Sequence, residues 1–190
     1  TKSWQDSGAA RLTSHRDQAV LRAYSMANEP AVKGQLKFNV RLALPTLPGV
    51  PVGAASSYVF GLKPGDSMEV SGPFGYFHAI ESSREMIFIG GGAGMPPLRS
   101  HILHQLKTLG CKRKIRFFYG ARSVQEIFYK EEFDALAEQY KNFNWTLVLS
   151  EPRPEDDWHG KVGFVHQVMQ DEYLNRHPNV QNCEFYYCGP

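Results

Sequence analysis

Short apolar runs recur at regular intervals through the second half of the chain. They are rich in β-branched and aromatic residues, each is followed closely by glycine or serine, and each predicts a buried strand. Apolar positions near the helical period lie between them and predict helices. The strand runs begin at Met86, Ile115, Trp145 and Phe185, and the helical positions are Leu98, Ile102, Leu106 and Leu109, then Phe133, Leu136, Ala137 and Tyr140, then Val165, Val168, Met169 and Tyr173.

Strands and helices alternate at about thirty residues per unit, which is the length of a βαβ crossover. This alternation predicts a parallel sheet covered by helices, with a ligand crevice at the carboxyl ends of its strands. The first half differs, since residues 37–43 alternate apolar and polar positions and two short extended pieces flank Pro64-Gly65. We therefore predict an α/β domain over residues 83–190, preceded by an antiparallel, partly barrel-like domain over residues 1–82. Residues 1–21 predict no defined element.

Composition excludes several classes of protein. The chain has 190 residues, is 42% hydrophobic and carries a net charge of +2, which is too balanced for a nucleic-acid surface. No apolar stretch reaches the eighteen residues of a membrane span, and the first residues do not resemble a signal peptide. The three cysteines (Cys111, Cys183 and Cys188) form no Cys-x-x-Cys pair, and their sparse use fits a reducing compartment. Because the seven histidines, including His177, are scattered, we interpret them as surface or helix-cap residues and predict no metal site.

The stretch IGGGAGMPP at residues 89–97 joins the first predicted strand to the next helix. Its glycines allow a tight turn and close approach of a ligand, and Pro96 can occupy the first turn of a helix. The free amides of that helix would then favour a pyrophosphate. The stretch does not fit G-x-G-x-x-G, since Met95 stands where the third glycine is required, and a glycine-rich turn without a ligand is the alternative. The predicted nucleotide-binding residues are Gly91, Gly92, Ala93, Gly94, Met95 and Pro96.

Four short motifs follow one another in an order that resembles the ferredoxin-NADP reductase superfamily, in which an FAD-binding barrel precedes a pyridine-nucleotide domain. They are RAYS at 22–25, GAASS at 53–57, GAGMPP at 92–97 followed by Arg99-Ser100, and CGP at 188–190. The strings RAYSMAN, SGPFG, MIFIGGGAGM, FYGARS and NCEFYYCGP are also similar to those of the F subunits of the sodium-translocating NADH:quinone oxidoreductases, in their C-terminal reductase portion. In that family a membrane-anchoring helix and a ferredoxin-like iron-sulfur domain are expected before this region.

The resemblance implies flavin-binding roles in the first half. Arg22 would pair with the FAD pyrophosphate, for which a guanidinium is suited by its bidentate donors. Tyr24 would lie against the isoalloxazine ring, and Ser25 would donate a hydrogen bond near flavin N5. The helix opened by Gly53 would direct its amides at the pyrophosphate, with Ser56 and Ser57 as hydroxyl or N-cap donors. Because only 21 residues precede the RAYS motif, the barrel is expected to be incomplete.

The resemblance also implies how NADH would be bound. Ser150 is followed by Glu151 where NADP enzymes of the family tend to carry arginine, and a carboxylate repels a 2′-phosphate but accepts a ribose hydroxyl. Cys188, with Gly189 and Pro190, would lie beside the nicotinamide and the flavin, where the hydride moves. Cys188, Ser25 and Tyr24 are thus the predicted catalytic residues, although a buried cysteine is more commonly a small apolar residue.

The function implied is an FAD-dependent NADH dehydrogenase module that passes electrons to an iron-sulfur centre on another domain. Its expected partners are NADH, that iron-sulfur domain and the other subunits of a sodium-pumping NADH:quinone reductase, with no nucleic acid. Its expected location is the cytoplasmic face of a bacterial inner membrane, with this fragment itself soluble. Two alternatives remain open, namely the reductase component of a soluble oxygenase and a catalytically silent docking module.

Overall fold

The computed structural model describes residues 17–45, 47 and 50–189. The chain divides into two compact units. The first contains the described residues up to Ser25 together with Asn39–Phe77, and the second contains Met26–Phe38 and the chain from His78 onward. The short segment Met26–Phe38 thus packs with the second unit, and the predicted domain boundary near Ser82 stays a prediction.

The second unit is built on a five-stranded parallel sheet, as the alternation of apolar runs predicts. Its strand order is β4-β3-β2-β1-β5. Four strands begin within two residues of the predicted positions. The two-residue strand β4 was not predicted, because no apolar run contains it. Their bounds are β1 Glu85–Gly91, β2 Ile115–Ala121, β3 Phe143–Leu149, β4 Lys161–Val162 and β5 Cys183–Cys188.

Helices follow three of these strands, and a further helix lies in the first unit. Helix α1 spans Ala54–Gly61 in the first unit, and α2 Met95–Leu103, α3 Lys130–Gln139 and α4 Val165–Glu172 lie in the second. After α2 the chain continues as one π-helical turn, His104–Thr108, closed by a hydrogen bond from Leu109 N to His104 O. That wider turn changes the helical phase, and Leu109, the last of the predicted helical positions, lies at the end of the turn and is 57% exposed.

The core of the second unit lies on both faces of the sheet. On one face, α2 and α3 pack over β1, β2 and β3, with the rings of Phe117, Phe133 and Trp145 stacked or tilted at centroid distances of 5.0–6.4 Å. On the other face, Val165 and Met169 of α4 pack against a smaller buried cluster that includes Phe118. Burial on both faces explains why the strand runs are continuously apolar.

The first unit has a much smaller core. Leu42 and Val52 form its buried apolar cluster, and α1 is the helix assigned within its described residues. Among the described residues, one antiparallel bridge is formed, between Met26 and Phe38. Both residues lie in the second unit. The antiparallel barrel therefore stays a prediction. Within these same residues, no helix combines the length and the apolar character that crossing a membrane requires.

Candidate nucleotide-binding site

The sheet topology defines a crevice at the carboxyl ends of β1 and β5. The chain runs from β1 through β2 and β3 to β4 in one direction, and β5 then adds to the opposite side of β1. At such a reversal the loops leave the sheet on different sides and open a crevice. Gly90 and Cys188 are paired in register at this end of the two strands, so both predicted motifs reach the same place.

The glycine-rich stretch forms the turn that the sequence predicts. Strand β1 ends at Gly91, a short 3₁₀ turn covers Gly92–Gly94, and α2 begins at Met95 with Pro96 in its first turn. Gly92 has φ +47°, a conformation that favours glycine, and a Cβ placed there would meet open space. The free amides predicted for α2 are not found in its first turn, because Pro96 and Pro97 carry no N–H and the amide of Met95 donates to the carbonyl of Gly92. An anion at this end of α2 would be held by amides of the 3₁₀ turn and by the partial positive charge of the helix.

Glycine is required at position 94 by chain packing within the protein. A Cβ on Gly94 would lie 2.0 Å from the carbonyl oxygen of Cys188 and 2.6 Å from the amide nitrogen of Gly189. This glycine therefore lets the β1–α2 turn pack directly on the end of β5. The hydroxyl of Tyr119 on β2 also stabilises the turn, because it donates a hydrogen bond of 3.2 Å to the carbonyl of Gly92.

Cys188 lies at the crevice with its side chain half-buried. Burial raises the pKa of its thiol, so the side chain is a neutral thiol near pH 7 and not a thiolate nucleophile. A neutral, compact side chain suits contact with an uncharged ring. Gly189 follows it with φ +144°, and Pro190 falls outside the described residues.

The carboxyl ends of β2 and β3 carry charged side chains beside the crevice. The amide of Glu151 donates a 2.8 Å hydrogen bond to the carbonyl of Arg122, and Glu151 is exposed. Arg122 forms an ion pair with Glu126, whose hydrogen bond and charge raise the pKa of the guanidinium, with a smaller contribution from Glu151. Arg122 was not among the predicted site residues, although its place two residues after the predicted strand run IRFFYG is a usable indication.

The predicted flavin residues lie in the first unit. Arg22, Tyr24 and Ser25 are all exposed, and Arg22 Nη1 donates a 2.7 Å hydrogen bond to the carbonyl of Leu21. The RAYS motif thus presents a guanidinium, a phenol and a hydroxyl within four residues of exposed backbone.

Helix α1 begins as the motif GAASS predicts, but its serines do not cap it. Gly53 is the N-cap residue of α1. Glycine is needed at this position because a Cβ there would lie 2.6 Å from the Cβ of Ala43. The hydroxyls of Ser56 and Ser57 donate to the carbonyls of Gly53 and Ala54, both at 3.0 Å. The prediction of an N-cap role for Ser56 and Ser57 is therefore wrong, and the unpaired donors at this helix start are the first-turn amides.

Comparison with known protein families finds a different family description for each half of the sequence. Residues 88–190 match the family described as "Oxidoreductase NAD-binding domain", and residues 9–79 match "Oxidoreductase FAD-binding domain". The chain belongs to the NAD-binding oxidoreductase domain family.

Similar proteins and structures agree with this family. A curated relative, the F subunit of the Na(+)-translocating NADH-quinone reductase of Marinomonas sp. (strain MWYL1), is 56% identical over 98% of this chain. The match covers 46% of that relative, so the chain spans about half the length of the curated relatives it matches.

Two solved structures show the fold. The cytochrome b5 reductase domain of Ulva prolifera nitrate reductase aligns with a TM-score of 0.75 at 22% identity, over 93% of this chain and 71% of that one. Ferredoxin-NADP+ reductase from Plasmodium falciparum aligns with a TM-score of 0.71 at 23% identity, over 90% and 68%. The predicted ferredoxin reductase-like fold class is thereby confirmed.

The residues present fit the cofactors that the two family descriptions name. In the NAD-binding oxidoreductase unit, Gly92 leaves open space at the turn that leads into α2. In the FAD-binding part, the start of α1 offers first-turn amides, and Arg22 belongs to the same compact unit. Both are suitable places for a pyrophosphate.

Proposed function

We propose that this chain is the NADH-oxidising flavin module of a sodium-translocating NADH:quinone reductase. Hydride would pass from NADH to FAD, and electrons would leave singly to an iron-sulfur centre on another domain. The observation that carries the proposal is the 56% identity over 98% of the chain to the F subunit of such a reductase, together with the glycine turn packed on Cys188. FAD, when bound, supplies the conversion of a two-electron donor into one-electron steps, so the protein needs no acid or base acting on NADH.

The second unit supplies the groups for NADH. Amides in the turn Gly91–Gly94, which leads into α2 at Met95 and Pro96, would hold the pyrophosphate, because backbone N–H groups and the helix dipole favour its charge. The carboxylate of Glu151 would accept a ribose hydroxyl. The neutral thiol of Cys188 and the backbone of Gly189 would lie beside the nicotinamide, with Pro190 following them.

The first unit supplies the groups for FAD. The guanidinium of Arg22 and the first amides of α1, after Gly53, would neutralise the pyrophosphate. Tyr24 would cover the isoalloxazine, and Ser25 would donate a hydrogen bond near its N5. Ser56 and Ser57 would contribute through their backbone positions in α1, since their hydroxyls are engaged with backbone carbonyls.

The wider assignments are extensions of the same proposal. The other partners would be a ferredoxin-like iron-sulfur domain and the remaining subunits of the complex, and the module would work at the cytoplasmic face of the membrane. Sodium pumping and quinone reduction belong to the complex as a whole.

The direct test is the visible absorption spectrum of the purified protein combined with NADH:ferricyanide reductase activity. We expect a yellow protein whose flavin absorption bleaches with NADH and returns with ferricyanide. A colourless protein that takes up no added FAD and oxidises no NADH would contradict the proposal and support a docking module.

Replacement of Arg22 by alanine should weaken flavin retention while leaving the fold intact. Charge-assisted hydrogen bonds are worth about 1.5–3 kcal/mol, so we expect FAD affinity to fall on the order of tenfold or more. The measurement is an FAD titration of apoprotein, followed by flavin fluorescence. Arg41→Ala is the matched control, since Arg41 is also exposed in the first unit. Equal FAD affinities for the two variants would rule out the role of Arg22.

Replacement of Glu151 by arginine should narrow the preference for NADH over NADPH. The change replaces a carboxylate that repels a 2′-phosphate with a guanidinium that binds it. We therefore expect the ratio of kcat/KM for NADH to kcat/KM for NADPH to fall about tenfold or more. Glu151→Gln should give an intermediate ratio. Glu155→Arg, an exposed position four residues later, is the control for net charge. An unaltered ratio in Glu151→Arg would remove Glu151 from the nucleotide site.

A further inference from the structure

Three potential metal ligands from distant parts of the sequence meet at the amino ends of β1 and β5. Glu85 and Cys183 are the first residues of their strands and are paired in register. His177, from the segment before β5, places its Nε2 3.0 Å from Glu85 Oε2 and 3.8 Å from Cys183 Sγ. The cluster is thus one carboxylate, one imidazole and one thiol with their ligand atoms within 4.8 Å of one another.

The three side chains are shielded from solvent. The side chains of Glu85 and His177 are each 8% exposed, and Cys183 is 7% exposed. The interpretation of His177 as a surface or helix-cap residue is therefore wrong. Buried groups that can carry charge are seldom retained without a partner, and here each faces the other two.

We propose that Glu85, His177 and Cys183 form a binding site for a zinc-class divalent ion. A carboxylate oxygen, an imidazole nitrogen and a thiolate are the ligand types that zinc takes, with a fourth position left to water. Zinc–ligand bonds of about 2.0–2.3 Å in a tetrahedron place neighbouring ligand atoms roughly 3.3–3.8 Å apart. The separations of His177 from Glu85 (3.0 Å) and from Cys183 (3.8 Å) are close to these values, and the ligand atoms of Glu85 and Cys183 lie within 4.8 Å of each other.

Groups around the cluster support the ligands from outside. The hydroxyl of Tyr173 donates to Glu85 Oε1 and so leaves Oε2 turned toward His177. Such outer hydrogen bonds fix the orientation of metal ligands in known sites. Lys114 Nζ lies 3.1 Å from Oε2 and is 45% exposed, so its ammonium can turn to solvent when an ion takes its place. Burial acts to raise the pKa of Glu85, but hydrogen bonds from Tyr173, His177 and Lys114 outweigh it and lower the pKa, so the carboxylate is already ionised.

Ion binding releases one proton. The amide of Asn179 donates a 3.1 Å hydrogen bond to His177 Nδ1, which places the imidazole proton on Nε2 facing Glu85. Coordination through Nε2 moves that proton to Nδ1 and turns the Asn179 amide away, within an exposed segment. Burial raises the pKa of the Cys183 thiol, which loses its proton to solvent as the ion binds. The dianionic ligand set then balances the 2+ charge.

The site lies far from the proposed nucleotide site. Gly90 lies five positions after Glu85 along β1, which is about 16 Å along a strand. An ion here would join the amino ends of β1 and β5 and stabilise the second unit, and its binding does not depend on the proposed flavin function.

Titration of the purified protein with Co²⁺ tests the proposal, because a cobalt–thiolate bond adds a charge-transfer absorption that oxygen and nitrogen ligands do not give. We expect one equivalent of Co²⁺ to bind, to release one proton in weakly buffered solution, and to be displaced by Zn²⁺. Cys183→Ser should abolish the charge-transfer band, and His177→Gln should weaken binding at least tenfold. Cys111 is a half-buried cysteine outside the cluster, so Cys111→Ser should leave the charge-transfer band and the Co²⁺ affinity unchanged.

Zn²⁺ should also raise the Tm of the wild-type protein and of Cys111→Ser, but not that of Cys183→Ser or His177→Gln. Absence of the cobalt–thiolate band, or its persistence in Cys183→Ser, would overturn the proposal and leave a hydrogen-bonded cluster without an ion. The His177→Gln variant keeps the test decisive if Cys183→Ser does not fold.

Discussion

Gly94→Ala should destabilise the protein by about 3 kcal/mol, toward the upper end of what overpacked sites cost. The added Cβ would lie 2.0 Å from the carbonyl oxygen of Cys188, and its neighbours are backbone atoms that cannot rotate aside. The backbone conformation itself accepts alanine, since Gly94 has φ −77°. The loss is therefore steric, and the β1–α2 turn must separate from the end of β5. Urea unfolding of the purified protein measures this change.

The same loop offers a matched control. Gly92→Ala adds a methyl group into open space but forces alanine into a left-handed conformation, which costs about 1–2 kcal/mol. We therefore expect Gly94→Ala to lower the free energy of unfolding more than Gly92→Ala does. If the two variants were equally stable, close packing of the turn on β5 would not be the reason for glycine at position 94. Under the proposed function, Gly94→Ala should also raise the KM for NADH, because the displaced turn carries the amides proposed to hold the pyrophosphate.

The parallel sheet could be predicted because its information is local. Apolar runs such as MIFIG and IRFFYG carry β-branched and aromatic side chains that are buried on both faces, and Pro96 marks the first turn of α2 within one residue. Strand β4 was missed because two exposed residues carry no apolar pattern. The π-helical turn before Leu109 was not predicted, because no feature of the sequence indicates it.

The features that sequence alone could not provide depend on register. Glu85 and Cys183 are 98 positions apart and become neighbours only because β5 pairs with β1 in that alignment. The same pairing brings Cys188 over Gly94, so a glycine that sequence reasoning assigned to ligand approach is also fixed by chain packing. The serines of α1 were misassigned because an N-cap preference does not reveal which of several small residues stands at the helix start.

Arg99 provides a second case in which an unremarkable sequence position is central to the structure. Its guanidinium pairs with both oxygens of Glu132 at 2.6 and 2.7 Å, donates to the carbonyl of Ala27 and lies 4.4 Å from the centre of the Tyr129 ring. The side chain is 8% exposed and Glu132 is 28% exposed. One residue thus connects α2, α3 and the segment Met26–Phe38 within the second unit.

Arg99→Met should therefore destabilise the protein by about 3 kcal/mol, because it leaves the Glu132 carboxylate and the Ala27 carbonyl without their donor in a largely buried place. Lys130→Met is the matched control, since it breaks the exposed pair between Lys130 and Asp134 on the same helix and should cost less than about 1 kcal/mol. The double variant Arg99→Met, Glu132→Leu should recover part of the loss, because no unpaired charge remains. Urea unfolding of the four proteins measures all three effects. If Arg99→Met lowers the free energy of unfolding no more than Lys130→Met does, the ion pair of Arg99 contributes no more than an exposed pair. Apolar packing alone would then hold α2, α3 and Met26–Phe38 together.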